Sequence, residues 1–277
     1  MSVFEKYDET SRHYDRTRVP IGSEILLGCL ARHGKPLHEI SVLDAGCGTG
    51  AYSQAIIGRV GRIEALDKSA GMLERARAKL AVEAEAGRVR FHQGSIVDLP
   101  LEAGSVDAVT INQVVQHLGD TLEDGFPRLR SVVAEFARVL RPGGVLVFNH
   151  CSQTQMRDAY WYYHLCPEGH ATVRQRFAPL EVLRKIFEQA GFVNQGGFVP
   201  VDAVCQGTAY FDGRGPLDKA WRDGDSFWAQ VGAAELDAAR VRVRDLDAQG
   251  ALDAFVAEHD ARRPDIGQIT ILSATRG

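Results

Sequence analysis

Residues 41–67 constrain the fold more than any other stretch. An apolar run, SVLDA (41–45), breaks into alternating glycines at Gly46, Gly48 and Gly50; AYSQAIIGRV then reads as a helix, and RIEALD (62–67) as a second apolar run. A buried strand, a bare loop, a helix and another strand in so short a span make a parallel crossover unit. The rhythm continues. SAGMLERARAKLAVEAEAG predicts a helix from an N-cap at Ser69 to about Ala86, with Gly87 as its stop. RVRFHQG (88–94) is a third strand and SVDAVTINQVV (105–115) a fourth. A helix over 128–140 ends at RPGG, and VLVFNH (145–150) follows as a fifth strand. PLEVLRKIFEQAG (179–191) is amphipathic with a glycine stop, and GQITILSA (267–274) closes the chain as a β-rich run. Strands and helices alternating in this way predict an α/β fold with a doubly wound, mostly parallel sheet covered on both faces.

Two segments interrupt the alternation. Residues 151–178 carry the aromatic cluster AYWYYHLCPEGH, and residues 205–264 pass from a Gly/Asp-rich loop into Ala/Arg/Asp-rich helical sequence, either a cap or a solvated insertion. The chain of 277 residues is long enough for one large domain with such insertions. Its expected parts are a helical N-terminal lid (1–35), a ligand-binding core (41–150) and the two interruptions around a second site. A net charge of -4 leaves no basic footprint for nucleic acid. No apolar run approaches membrane-spanning length, and the polar, aromatic N-terminus lacks a signal-peptide core. Five dispersed cysteines without a CxxC are expected to be reduced thiols in a cytoplasmic protein.

A strand that ends in a glycine loop is where open α/β sheets take nucleotide-like ligands. GCGTGA also satisfies a loose dinucleotide pattern, which leaves a nicotinamide-dependent oxidoreductase as an alternative. Asp44 stands against that alternative without removing it: a pyrophosphate gains nothing from a carboxylate two residues before the first glycine, whereas a cationic ligand does.

These residues resemble the class I S-adenosylmethionine-dependent methyltransferases, over about residues 41–150. VLDAGCGTG looks like the first motif of that family, which implies Asp44, Gly46 and Gly48 around the amino-acid part of the cofactor. IEALDKSAGML looks like the second, implying Asp67 on the ribose hydroxyls and Lys68 and Met72 at the adenine border. FHQGSIVDLPL resembles the third, with Ser95 and Ile96 beside the adenine; many relatives carry Asp where this chain has Ser95. SVDAVTINQVVQHL resembles the fourth, placing Asn112 and Gln113 near the methionine part. VLRPGGVLVF resembles the usual turn into strand five. The resemblance also implies seven strands, the last antiparallel, and a YD-containing leader over the cofactor, from which Tyr14 is the expected contact.

Methyl transfer from a sulfonium needs an acceptor lone pair held in line and dry, with a base where the nucleophile must lose a proton. His117, just past strand four, and His150, at the end of strand five, are the candidate bases. Tyr160, Trp161 and Tyr163, with Tyr162 between them, are the candidate walls of a pocket for a small-molecule acceptor. No spacing of His and Cys matches a zinc site. Two alternatives stand beside this reading. Cys151, Cys166 and Cys205 could hold a thiol-seeking metalloid such as arsenite, or the protein could bind the cofactor without turnover. The sequence leaves the acceptor and the oligomeric state open.

Overall fold

The computed structural model describes residues 19–277. Its seven strands are β1 (Ser41–Ala45), β2 (Arg62–Asp67), β3 (Val89–Gln93), β4 (Val106–Asn112), β5 (Leu140–His150), β6 (Phe192–Phe198) and β7 (Thr270–Arg276). They form one sheet in the order β3-β2-β1-β4-β5-β7-β6. The pairs among β1 to β5 are parallel, and β7 runs antiparallel to both neighbours. The sheet is therefore the expected seven-stranded one.

Side chains alternate across it, and each face has its own core. Val42, Ile63, Ala65, Ala108, Val145 and Val147 face one side, where α1 (Ser23–Ala31) and α2 (Ala51–Ile56) pack. Leu43, Leu66, Val109, Ile111, Leu146 and Phe148 face the other. There α5 (Pro127–Val139) presents Leu129, Val132, Val133 and Phe136 at i, i+3, i+4 and i+7 spacing. Between them in the chain, α3 (Ala70–Lys79) and α4 (Ala81–Glu85) follow β2.

Three elements differ from expectation. The helix expected to run from Ser69 to Ala86 is two helices, broken at Leu80 (φ -112°, ψ 26°). Leu80 is fully buried, and its Cδ1 lies close beside Gly50, so packing overrides a run of good helix formers. Both predicted ends hold: Ser69 Oγ accepts from Met72 N, and Gly87 takes a left-handed φ of 72°. RPGG does not precede strand five but lies inside it. β5 pairs with Val106 from Leu140 and again with Ala108 from Val145, so the four residues are absorbed as a bulge. Finally, β4 stops at Asn112, because Gln113 has a left-handed φ of 56°.

After β5 come α6 (Gln153–Asp158), a 3-10 turn over Trp161–Leu165, α7 (Pro167–Arg174) and α8 (Leu180–Gln189). Between β6 and β7 lie α9 (Lys219–Arg222), α10 (Ala233–Ala248), α11 (Leu252–Asp260) and α12 (Arg263–Ile266). The two interrupting segments pack against each other. Tyr162 stacks on Trp228 with ring centroids 5.7 Å apart, Tyr163 lies 4.2 Å from Phe227, and the Trp161 indole N–H donates to the Tyr210 carbonyl at 2.8 Å. Residues 205–232 thus supply half of an aromatic core, whereas α10 buries only Ala239 and Val243. Among the described residues no helix is long and apolar enough to cross a membrane.

Candidate active site

The loop after β1 has three left-handed glycines, Gly46 (φ 76°), Gly48 (54°) and Gly50 (78°). The first two do different work. A Cβ on Gly46 would stand 2.6 Å from Val114 Cγ2, so the loop lies directly on the residue that follows Gln113. A Cβ on Gly48 would meet nothing within 4 Å, which leaves open space over the loop. Gly46→Ala is therefore expected to lose roughly 2–4 kcal/mol of stability through clash and a disallowed φ, and Gly48→Ala only about 1–2 kcal/mol, from φ alone. Urea unfolding of both variants checks the order. Gly48→Ala should stay folded and still fail to bind what the loop receives.

Asp67, at the end of β2, ties this loop down. Its Oδ2 accepts the Gly48 N–H at 2.8 Å and its Oδ1 the Ser69 N–H at 2.9 Å, leaving a lone pair on each oxygen for a pair of ligand hydroxyls. Asp44 is 1% exposed. It accepts from Ser53 Oγ at 2.6 Å and from Thr110 Oγ1 at 3.4 Å. Burial lifts its carboxyl to about 6, the nearby Asp67 charge adds to the rise, and the two hydroxyls oppose it. Burial raises Asp67 as well. Two acids with neutral partners make a place that favours a cation. The Asn112 amide nitrogen is close enough to Asp44 to favour its ionisation, yet it is buried without a well-formed hydrogen bond.

Around this point the other expected ligand residues fall as follows. Met72 and Ile96 are buried, and Lys68 is exposed, its carbonyl accepting from Gln93. Ser95 Oγ accepts the Val97 N–H of its own turn. Tyr14 lies outside the described residues.

Beyond β4 and β5 the strand-end amides form a chain. Gln113 Nε2 donates to Asn149 Oδ1 at 2.9 Å, Asn149 Nδ2 to Tyr52 Oη at 3.0 Å, and Tyr52 Oη to the Ile21 carbonyl at 3.1 Å. Cys151 Sγ lies 3.4 Å from Gln113 Oε1. The two-residue period of β5 therefore sends Asn149 and Cys151 toward the site and His150 away from it. His150 is fully buried between Phe148 and Phe177, and its Nε2 lies 3.0 Å from the Ala178 carbonyl oxygen. Burial holds it down at about 4. That is a packing position, not the place of a base.

His117 does reach a cleft. Together with Gln113, Gln116, Cys151, Met156, Tyr160, Tyr163, Arg176, Phe177, Asp225 and Phe227 it lines a hollow of about 480 Å³, part of it open to solvent. Tyr160 and Tyr163 are stacked there at 4.7 Å. Trp161 is not in the wall but is fully buried beneath it, against Tyr210 and Trp221. The three cysteines do not form one cluster: Cys151, which lines the cleft, and Cys205 lie against the Tyr160 hydroxyl at 3.5 and 3.8 Å, and the buried Cys166, its thiol pushed up to about 12 by burial, is absent from the lining. Among the described residues no three His, Cys, Asp or Glu side chains are grouped to hold a metal ion.

Sequence reasoning missed Asn149, Gln116, Arg176 and Phe227. Strict alternation from Phe148 would have found Asn149. The rest come from segments whose approach to the sheet no local pattern encodes.

The sheet order, the left-handed glycine loop and the strand-end cleft define a methyltransferase fold. A family model for a methyltransferase domain matches residues 43–148. A demethylmenaquinone methyltransferase of Staphylococcus aureus (strain JH9) is 30% identical over 173 residues, covering 55% of this chain and 67% of that protein. The chain belongs to the class I S-adenosylmethionine-dependent methyltransferases. It is also 40% identical over 114 residues to the demethylmenaquinone methyltransferase of Lactococcus lactis subsp. lactis (strain IL1403), over 40% of this chain and 42% of that one. The alignments span about half the length of the curated relatives the chain matches. A crystal structure of a methyltransferase assigned to an antibiotic biosynthesis pathway in Anabaena variabilis superposes with a TM-score of 0.73 at 18% identity, over 94% of this chain and 99% of that one, a likeness of fold.

Proposed function

We propose that the protein transfers a methyl group from S-adenosylmethionine to a small-molecule acceptor by in-line displacement, in the cytoplasm. The observation that carries this reading is the contact between the two halves of the site. Val114, against which Gly46 packs, is flanked by Gln113 and Val115, and Gln113 lines the cleft.

The residues present fit the cofactor: a bare loop with open space at Gly48, a buried acid that favours a cation, and a strand-end acid with lone pairs to spare. Asp44 and Asn112 would serve its amino-acid end, Gly46 and Gly48 its passage over the loop, Asp67 its ribose, and Met72, Ser95 and Ile96 its adenine. When bound it supplies a methyl on a positively charged sulfur, already activated toward attack. The chain's own part is positional. Tyr160, Tyr163, Phe177 and Phe227 exclude water and hold the acceptor body. Gln113, fixed by Asn149, keeps the strand end in register with the loop. His117 takes the proton of the nucleophile.

Calorimetry with S-adenosylmethionine and S-adenosylhomocysteine tests the cofactor assignment. Asp67→Ala is expected to weaken both about tenfold or more, since it removes charge-assisted bonds to a ligand and the tether of Gly48. Undiminished binding in that variant, or none in the unaltered protein, overturns the reading. A metabolite screen for gain of one methyl then identifies the acceptor.

A further inference from the structure

Arg176 lines the acceptor cleft, is only partly exposed, and has no ion-pair or side-chain hydrogen-bond partner among the described residues. The carboxylate in the same wall does not neutralise it. Asp225 is buried, with one oxygen accepting the Tyr162 hydroxyl and the other the Phe227 N–H, so both of its oxygens are engaged by other groups. Among the described residues no carboxylate stands within ion-pair distance of this guanidinium, in a cleft walled mainly by aromatic rings and amides, and a ligand can bring the counter-charge. Its planar fork matches a carboxylate with two parallel hydrogen bonds. One cation near a buried Asp225 suits a singly charged group better than a phosphate dianion.

A second observation concerns Gln116. It is 8% exposed, its Nε2 donates to the Gln113 carbonyl at 2.8 Å, and its Oε1 is buried with no partner. The carbonyl of Gln113 fixes the direction of this amide. Its oxygen is therefore an acceptor waiting for an O–H or N–H, beside His117.

We infer that the acceptor is an amphiphilic carboxylate: an apolar or aromatic body between the Tyr160, Tyr163 and Phe227 rings, a carboxylate on Arg176, and a separate hydroxyl or amine presented to Gln116 and His117 as the methylated group. The inference rests on the methyltransferase reading and names the substrate class for the same site. Arg176 is then the specificity-determining residue, and the carboxylate it binds is not the nucleophile, since a guanidinium pair would blunt it.

The test is calorimetry in saturating S-adenosylhomocysteine with a hydroxynaphthoate and a hydroxydodecanoate, each beside its own primary amide. At least one acid is expected to bind the unaltered protein about tenfold or more tightly than its amide, the size of a charge-assisted hydrogen-bond pair. Arg176→Gln should erase that preference while S-adenosylhomocysteine binds as before, and Arg176→Lys should keep part of it. Amides that bind as well as acids, acids that do not bind, or a preference that survives Arg176→Gln would each overturn the inference. Failure to bind S-adenosylhomocysteine in the unaltered protein would strike the cofactor reading instead.

Discussion

Asp44→Asn is expected to unfold at a higher temperature than the unaltered protein and to bind S-adenosylmethionine about tenfold or more weakly. The carboxyl sits at about 6 in the fold because it is buried, against an ordinary value of 3.8. A raised acid holds its proton in the folded state after the unfolded chain has lost it. Stability from this group is therefore greatest below pH about 4, falls as pH rises toward 6, and stays lost above. The gap of roughly two units amounts to roughly 3 kcal/mol at neutral pH. An amide carries no such cost and can still bond Ser53 and Thr110, so the melting temperature should rise by about 3–8 °C at pH 7. Below pH 4 the two proteins should converge. Affinity should show the opposite dependence. A cationic ligand favours the ionised carboxyl, so binding to the unaltered protein weakens as pH falls through about 6, whereas Asp44→Asn shows no such limb. Scanning calorimetry and titration calorimetry across pH 4–8 read both effects. An Asn variant that is less stable at pH 7, or that binds as tightly, would remove Asp44 from the site.

The same acid shows why part of the structure was legible from the sequence and part was not. The loop, the strand-two acid and the alternation of β4 and β5 are local patterns: glycines where φ is positive, apolar residues at a period of two. Those patterns located the elements, and the resemblance to the methyltransferase motifs added the expectation that Asp44, Gly46, Gly48, Asp67 and Gln113 belong to one site. The errors came where tertiary packing chose between local options. Leu80 broke a helix with good propensity because its side chain fills space beside Gly50. His150 had the right address on the sheet and the wrong face, one residue from Asn149. Trp161 had the right segment, but its indole N–H needed a carbonyl and found Tyr210 beneath the cleft rather than a ligand within it. Phe227 and Arg176 reach the site through long-range packing, which sequence spacing does not encode.

His117→Ala is expected to cut kcat by about 10²–10⁴ for an acceptor whose nucleophile must lose a proton, with little change in cofactor affinity. The Gln116 amide beside it favours one tautomer of the neutral ring. Gln116 has its amide nitrogen committed to the Gln113 carbonyl at 2.8 Å, and the same nitrogen faces His117 Nε2 at 3.4 Å. A donor on that side favours the tautomer with the lone pair on Nε2 and the proton on Nδ1. The contact is long enough for an acceptor hydroxyl or amine to displace it, and the displaced amide still holds its carbonyl. A base predicts three outcomes together that a packing role does not. The rate of the unaltered enzyme should rise with pH along a limb that His117→Ala lacks; added imidazole should restore part of the lost rate; and His150→Ala, tested beside it, should lose stability through a buried cavity while sparing the pH limb. Single-turnover kinetics with saturating S-adenosylmethionine separates these outcomes from changes in binding. Should the limb persist in His117→Ala, proton removal belongs to solvent or to the tyrosines of the wall, and the task of the cleft reduces to holding the acceptor in line.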